Sequence, residues 1–180
     1  GKTLNGWTKQ GGGDWFVKDG AIVGKNIRSQ REHGHLFFDR PVGDFTVRVE
    51  YLAVSGNSGL YFRTEKRNGA VGIAGFQAEI DATKDAAGLY ETHGRGWVIQ
   101  PKPEWVKKHF RQGKWNEMTV SAKGRDVVVH LNGIKSAELK NDKGRTEGWL
   151  ALQLHGSQDM EVHFRKVELL VKETKSPKKP

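Results

Sequence analysis

Phe45-Thr46-Val47-Arg48-Val49-Glu50-Tyr51, within residues 45 to 53, alternates apolar and polar side chains at a period of two. On an extended chain this puts Phe45, Val47, Val49 and Tyr51 on one face and Thr46, Arg48 and Glu50 on the other, the pattern of a half-buried strand with a charged outer face. The same period recurs outward along the chain, in Leu60 and Phe62, in Phe76, Ala78 and Ile80, in Met118 and Val120, in Val127, Val129 and Leu131, and in Leu150, Leu152 and Leu154. Further strands are predicted at 15–17, 21–23, 35–39 and 161–171. The punctuation is Asp19-Gly20, Gly56-Asn57-Ser58-Gly59, Asn68-Gly69 and Asn132-Gly133. The last is the clearest hairpin signal, because a type I′ turn needs positive φ at both central positions. Only 102–112 admits a helix, with Trp105, Val106, His109 and Phe110 as its apolar stripe; the Pro101-x-Pro103 start makes a helical turn within a loop an equal alternative. No repeat of 20 to 50 residues appears, which argues against a propeller or solenoid. The expectation is an all-β, two-sheet antiparallel sandwich.

Composition agrees. The chain has 180 residues, 36% of them hydrophobic, and 23 glycines spread without period, about twice the roughly 7% of average proteins. That length suits one domain, expected over residues 1–171. The absence of cysteine excludes disulfides, thiolate nucleophiles and zinc–cysteine sites. No apolar run reaches the roughly 18 residues of a membrane-spanning helix, and GKTLNGWTKQ lacks the pattern of a signal peptide, so any export signal is expected outside this chain. The net charge of +9 is partly an end effect. Residues 172–180, KETKSPKKP, carry +3 and nothing apolar, so they read as a disordered basic tail or linker.

Gly75-Phe76-Gln77-Ala78-Glu79-Ile80-Asp81 is the stretch richest in chemistry. As a strand it directs Gln77, Glu79 and Asp81 to one face, about 6.6–6.8 Å apart, with Phe76, Ala78 and Ile80 on the other. Two neighbouring carboxylates shielded from water raise at least one pKa and supply a general acid or base near neutral pH. Spacing alone favours a solvated outer face paired with arginines. Gln153 and His155 form a second outward pair, because Leu150, Leu152 and Leu154 must face the core. Arg63, ending the strand Gly59-Leu60-Tyr61-Phe62-Arg63, is expected to share a face with Tyr61, either as a clamp for sugar hydroxyls or as a partner of Glu50 or Glu79. His33 and His35 are two apart, but a His-x-His pair without a third ligand is a weak metal signal, and structural or surface roles are favoured. Of six tryptophans, Trp7, Trp15 and Trp149 read as core, whereas Trp97 and Trp105 in polar loops are candidates for a binding rim. Lysines and arginine interleave with Trp105, Phe110 and Trp115 over 102–115, as single-stranded nucleic acid binding requires. No nucleic-acid motif accompanies them, which disfavours that partner. No serine-hydrolase elbow, His-Glu-x-x-His or dinucleotide fingerprint is present.

The order of these segments resembles a known family. Leu4-Asn5-Gly6-Trp7, Trp15-Phe16-Val17-Lys18-Asp19-Gly20, Asp44-Phe45, Asn57-Ser58-Gly59-Leu60-Tyr61-Phe62-Arg63, Gly75 to Asp81, Gly88-Leu89-Tyr90, Trp115-Asn116, Leu131-Asn132-Gly133, Leu152-Gln153-Leu154-His155-Gly156 and Phe164-Arg165 are together similar to the 3-keto-disaccharide hydrolase domain family, from about residue 3 to about 171. The resemblance implies a concanavalin A-like jelly-roll with a carbohydrate on its concave sheet face. It also implies cleavage of glycosides already oxidised to a ketone at C3, by C2 proton abstraction, elimination of the aglycone and hydration. Carried over by position, His155 or Glu79 would be the base, Asp81 its partner or a ligand for a divalent metal, and Arg63 the oxyanion or sugar clamp. Gln77, Tyr90 and Gln153, with Trp97 and Trp105, would bind substrate. The implied partner is an oligosaccharide or glycoside, the implied location periplasmic or extracellular, and the oligomeric state is left open.

Glu79-Ile80-Asp81 also looks like the core of the Glu-x-Asp-x-Glu signature of laminarinase-like retaining glycosidases, but Thr83 stands where the second glutamate belongs. Retaining hydrolysis needs two carboxylates about 5–5.5 Å apart, so that mechanism lacks a residue. The rival expectation is a non-catalytic carbohydrate-binding module of a larger exported protein, since one sandwich serves lectins and enzymes alike.

Overall fold

The computed structural model describes residues 1–171; the basic tail expected at 172–180 lies outside the described residues. The chain forms β1 (Trp7–Gly11), β2 (Asp14–Lys18), β3 (Ala21–Asn26), β4 (Gly34–Phe38), β5 (Phe45–Ser55), β6 (Asn57–Lys66), β7 (Ile73–Asp81), β8 (Leu89–Thr92), β9 (Gly96–Ile99), α1 (Pro103–His109), β10 (Asn116–Lys123), β11 (Asp126–Leu131), β12 (Ile134–Leu139), β13 (Trp149–Leu154) and β14 (Met160–Val171). These build two seven-stranded antiparallel sheets. One, here the site sheet, runs β1-β4-β13-β6-β7-β8-β9; the other, the back sheet, runs β12-β11-β10-β5-β14-β3-β2.

The predicted apolar faces meet between the sheets. Val47, Val49 and Tyr51 of β5 share one core with Leu60 and Phe62 of β6, Phe76, Ala78 and Ile80 of β7, and Leu152 and Leu154 of β13. Phe62 stacks on Phe76 at 5.4 Å and meets Phe45 of the back sheet edge-on at 5.9 Å, tying the layers together. Outward side chains of the back sheet pair with one another instead. Arg165 and Lys166 donate to Glu50 at 2.7 and 2.6 Å, and Arg48 donates through Nε to Glu168 at 2.7 Å.

Turn chemistry is legible where it was expected. Asn132 (φ 50°) and Gly133 (φ 81°) form the β11–β12 turn, and the Asn132 amide also donates to the His109 carbonyl and to Asn116 Oδ1. The segment Gly56 to Gly59 differs from expectation. Gly56 alone (φ 72°) carries the chain from the back sheet to the site sheet, and Asn57, Ser58 and Gly59 are already β6. The strand can begin so early because a single positive-φ residue reverses the chain within van der Waals reach of Met160, where a Cβ would lie only 2.4 Å from the Met160 Cβ.

Within 102–112, Pro103–His109 is helical and buries Val106 against one end of the core. Trp105 and Phe110 pack on the same cluster, so the aromatic faces that stacking on nucleic-acid bases requires are turned inward. Trp149, expected in the core, lies with Phe37, Tyr61, Ile73 and Ala151 in a separate apolar cluster on the outer face of the site sheet, under the Lys66 ammonium at 4.1 Å.

Candidate functional site

The outer face of the site sheet is a grid set by strand register. His35, Gln153, Gly59 and Glu79 are cross-strand neighbours in one row; Phe37, Ala151, Tyr61, Gln77, Tyr90 and Trp97 form the next. Strand spacing of about 4.7–4.9 Å thus brings side chains from six strands into contact. The solvated face favoured by spacing alone is not what forms. β7 is buried along its whole length, with Gln77 4% and Glu79 5% exposed; Tyr61, Tyr90 and Thr92 of the flanking strands and Val71 of the β6–β7 connection stand around its outer face.

A pocket of about 350 Å³ opens on this face, lined by His33, Asn57, Tyr61, Gln77, Glu79, Tyr90, Thr92, Trp97, Gln153 and His155, with Val71 as an apolar wall. No lysine or arginine among the described residues lines it. Gly59 makes the floor passable: a Cβ there would lie 2.4 Å from Gln77 Nε2. With only hydrogen at that point, Gln77 lies across β6 and donates to Ser58 O and Gln153 Oε1, each at 3.3 Å. Gln153 Nε2 in turn donates to His33 Nδ1 at 2.9 Å. A neutral His33 therefore carries its proton on Nε2. The reverse tautomer holds at His155, whose Nδ1 donates to the Gly156 carbonyl at 2.7 Å and leaves Nε2 with a free lone pair. The two imidazole rings lie 4.2 Å apart.

Burial pushes the Glu79 carboxyl up to about 8, with Asp81 and Asp85 adding to the rise and the amide of Asn57, which donates to Glu79 Oε1, opposing it. Glu79 is therefore mostly protonated at neutral pH. Burial would raise Asp81 as well, yet hydrogen bonds from the Thr83 hydroxyl, the Thr83 and Lys84 N–H groups and Asn57 outweigh it and hold this carboxyl below its ordinary value. The first three bonds all end on Oδ1, at 2.6, 2.6 and 3.0 Å, so Asp81 closes the turn after β7. Burial and the neighbouring His155 push His33 down to about 4; burial and His33 push His35 down to about 3.

Among the sequence-predicted site residues, the fold brings His155, Glu79, Gln77, Gln153, Tyr90 and Trp97 together. Trp97 lies on β9 rather than in a loop and meets Tyr90 edge-on at 5.3 Å. Asp81 stands behind the pocket, 3.5 Å from Asn57 Nδ2. Arg63 does not join them. A bulge between Phe62 and Glu65 puts Arg63 at φ 51° and breaks the alternation with Tyr61. Its guanidinium points instead toward Asp44, 3.7 Å away, with the residue 1% exposed and Nε and Nη2 lacking a hydrogen-bond acceptor among the described residues. Trp105 does not join them either, because α1 turns it onto the core beside His109. His33, Asn57, Tyr61 and Thr92 were missed as pocket residues. The His-x-His spacing held a signal for His33, whereas Asn57 was hidden inside an apparent turn.

The donor set does not fit a metal ion. Asp81 Oδ1 is spent on its turn, His33 Nδ1 accepts from Gln153 while its Nε2 carries the proton, and no group of three His, Asp or Glu side chains suited to a metal occurs among the described residues.

The chain is thus a two-sheet β-sandwich with a polar pocket on the outer face of one sheet. The chain belongs to the 3-keto-alpha-glucoside-1,2-lyase-like domain family, whose model matches residues 1–170. No curated protein matches it. Among solved structures, it is similar to carbohydrate-binding module CBM66 from Bacillus subtilis, at TM-score 0.69 and 19% identity over 91% of this chain and 94% of that one. A Parabacteroides distasonis protein described provisionally as a glycosyl hydrolase has TM-score 0.70 and 20% identity over 96% and 91%. A Bacillus subtilis protein of unknown function with a galectin-like fold gives 0.69 and 15% over 92% and 89%. Similarity at these identities shows the shared sandwich fold.

Proposed function

We propose that this domain cleaves 3-keto-glycosides by elimination in the site-sheet pocket. The observation that carries the reading is the meeting, in one pocket, of a carboxyl held protonated near neutral pH and a histidine whose Nε2 is free to accept a proton. The C3 ketone acidifies the C2 proton. His155 Nε2 removes it, the electron pair enters the enolate, and collapse of the enolate expels the C1 substituent as Glu79 protonates the departing oxygen. Water then adds across C1=C2: its hydroxyl bonds to C1 as Glu79 takes its proton, and His155 returns a proton to C2, restoring both side chains. Arg63 lies outside the pocket and cannot hold the enolate; the donors at hand on the pocket wall are the Tyr90 hydroxyl and one hydroxyl of the Tyr61–Thr92 pair, which share a hydrogen bond at 2.8 Å. Glu79 and His155 divide the acid and base roles, and Asp81 acts through Asn57 as a positioning residue. A pocket with no lysine or arginine among the described residues suits an uncharged sugar, and the family's glycan chemistry supports a periplasmic or extracellular location.

The edge-on Tyr90–Trp97 pair at the pocket mouth supports a second reading, a carbohydrate-binding module without turnover. Release of free aglycone from 3-keto-glucosides and from their unoxidised parents, with and without divalent metal, separates the two. Cleavage confined to the keto substrates is expected. Binding without cleavage would establish the module instead.

A further inference from the structure

The outer face of the back sheet carries a second hollow, remote in the fold from the pocket because the whole core lies between them. Cross-strand register aligns Phe16 of β2, Val23 of β3 and His163 of β14 in one row, and Asp14, Lys25 and Glu161 in the next. Elsewhere this face is closed by ion pairs, but here the floor is Ala21 and Val23, two small apolar side chains. Phe16, 37% exposed, and Trp115 stand around it, enclosing about 200 Å³. Arg165 lies 4.0 Å from the Trp115 ring centre and fixes the indole as a wall.

The polar rim is equally organised. Lys25 Nζ meets Glu161 Oε2 at 2.8 Å, and His163 Nε2 donates to Glu161 Oε1 at 2.6 Å, which leaves His163 Nδ1 as a lone-pair acceptor when the ring is neutral. Lys25 and Glu161 neutralise each other as an ion pair, and the remaining charged lining residues, Lys18 and Asp19, are of opposite sign.

We propose that this hollow is a second carbohydrate subsite that takes one neutral sugar ring of a glycan. Aromatic walls match the apolar C–H faces of a pyranose or furanose, and a Lys–Glu–His row presents both donors and acceptors to its hydroxyls. The volume lies below the roughly 300–1,000 Å³ of sites for larger ligands, which limits the occupant to a single ring. The balanced rim favours an uncharged sugar over a uronate or sulfated one. This site is independent of the catalytic reading, since none of its residues borders the pocket.

The test is a titration of the ¹⁵N-labelled chain with glucose, galactose, mannose, xylose and fructose, followed residue by residue in NMR spectra. The expected result is saturable shifts at Phe16, Val23, Lys25, Trp115 and His163 with at least one of them, unchanged by added salt. They should persist in His155→Ala, which disables the pocket, and weaken about tenfold in Phe16→Ala, where one stacking face is lost. Phe16 is exposed enough for that variant to fold, so the test does not depend on altering Trp115. Absence of shifts at these residues throughout the panel would overturn the proposal. So would shifts that vanish with His155→Ala, or binding confined to acidic sugars and abolished by salt.

Discussion

Glu79 and His155 carry opposite expectations from the same pocket wall. Removing the base in His155→Ala should lower turnover of a 3-keto-glucoside by about 10²–10⁴-fold, measured as aglycone release, while substrate affinity changes far less. For Glu79 the sign in pH can be worked out. Its folded pKa, near 8, lies above its ordinary value of 4.5, so between these limits the folded state holds a proton that the unfolded chain has released. Stability then falls as pH rises through that window, by up to about 1.4 kcal/mol per pH unit. Glu79→Gln keeps the acceptor for Asn57 and removes the titration. Its melting temperature should exceed that of the parent at pH 8 and converge with it toward pH 4.5, although turnover is lost. Equal melting curves at both pH values would contradict the placement of this carboxyl. Arg63 gives the complementary residue-scale test. A buried guanidinium with only a long ion pair to Asp44, and with two nitrogens lacking a hydrogen-bond acceptor among the described residues, costs desolvation, so Arg63→Met should be neutral or stabilising in denaturant titrations and leave sugar binding intact.

At the scale of elements, β6 and β7 show how a backbone position governs a polar network. Gly59 has no special dihedral to justify it; its reason is the side chain of Gln77 crossing over it. Gly59→Ala should displace Gln77 from Gln153 and release His33, weakening sugar binding about tenfold in calorimetry with only a modest loss of melting temperature. The strands read correctly from sequence were those with a face to bury, such as β5, β7, β11 and β13. The ones missed were β1, β8, β9 and β12, three of which are sheet edges. An edge strand buries little, so Trp7-Thr8-Lys9-Gln10-Gly11 has no apolar alternation to detect. Arg63 failed for a different reason. A bulge adds one residue, and from that point parity assigns side chains to the wrong face.

Across the whole molecule, three imidazoles from two distant segments, His33 and His35 from one and His155 from the other, lie in one chain of ring contacts of 4.2 and 6.3 Å. His35 is fully buried and neither of its ring nitrogens has a hydrogen-bond partner among the described residues, so the folded protein holds it neutral. For both His33 and His35 the folded pKa lies below the ordinary 6.5. As pH falls below 6.5 the unfolded chain takes up protons that the folded chain refuses, so stability declines until about pH 4 for His33 and about pH 3 for His35. A His35→Phe variant should flatten this acid limb of a melting-temperature profile, beside the ring faces of Phe37 and Tyr61 that already surround the site.

Period-two hydrophobicity by itself determined the sandwich and the two faces of β7 and β13, because burial of alternate side chains is a local property of the chain. It also placed Gln77, Glu79, Gln153 and His155 outward, and their membership in one family was readable from ordered motifs. Only the tertiary structure decided that this outward face is buried, that His33 and Asn57 belong to it, and that Arg63 and Trp105 do not. Those outcomes depend on strand order and register, which set neighbours some 4.7–4.9 Å apart from segments up to 120 residues distant, as in the Gln153–His33 bond. The protonation states followed from the same source, since desolvation is produced by the packed neighbours and not by the residue's own sequence.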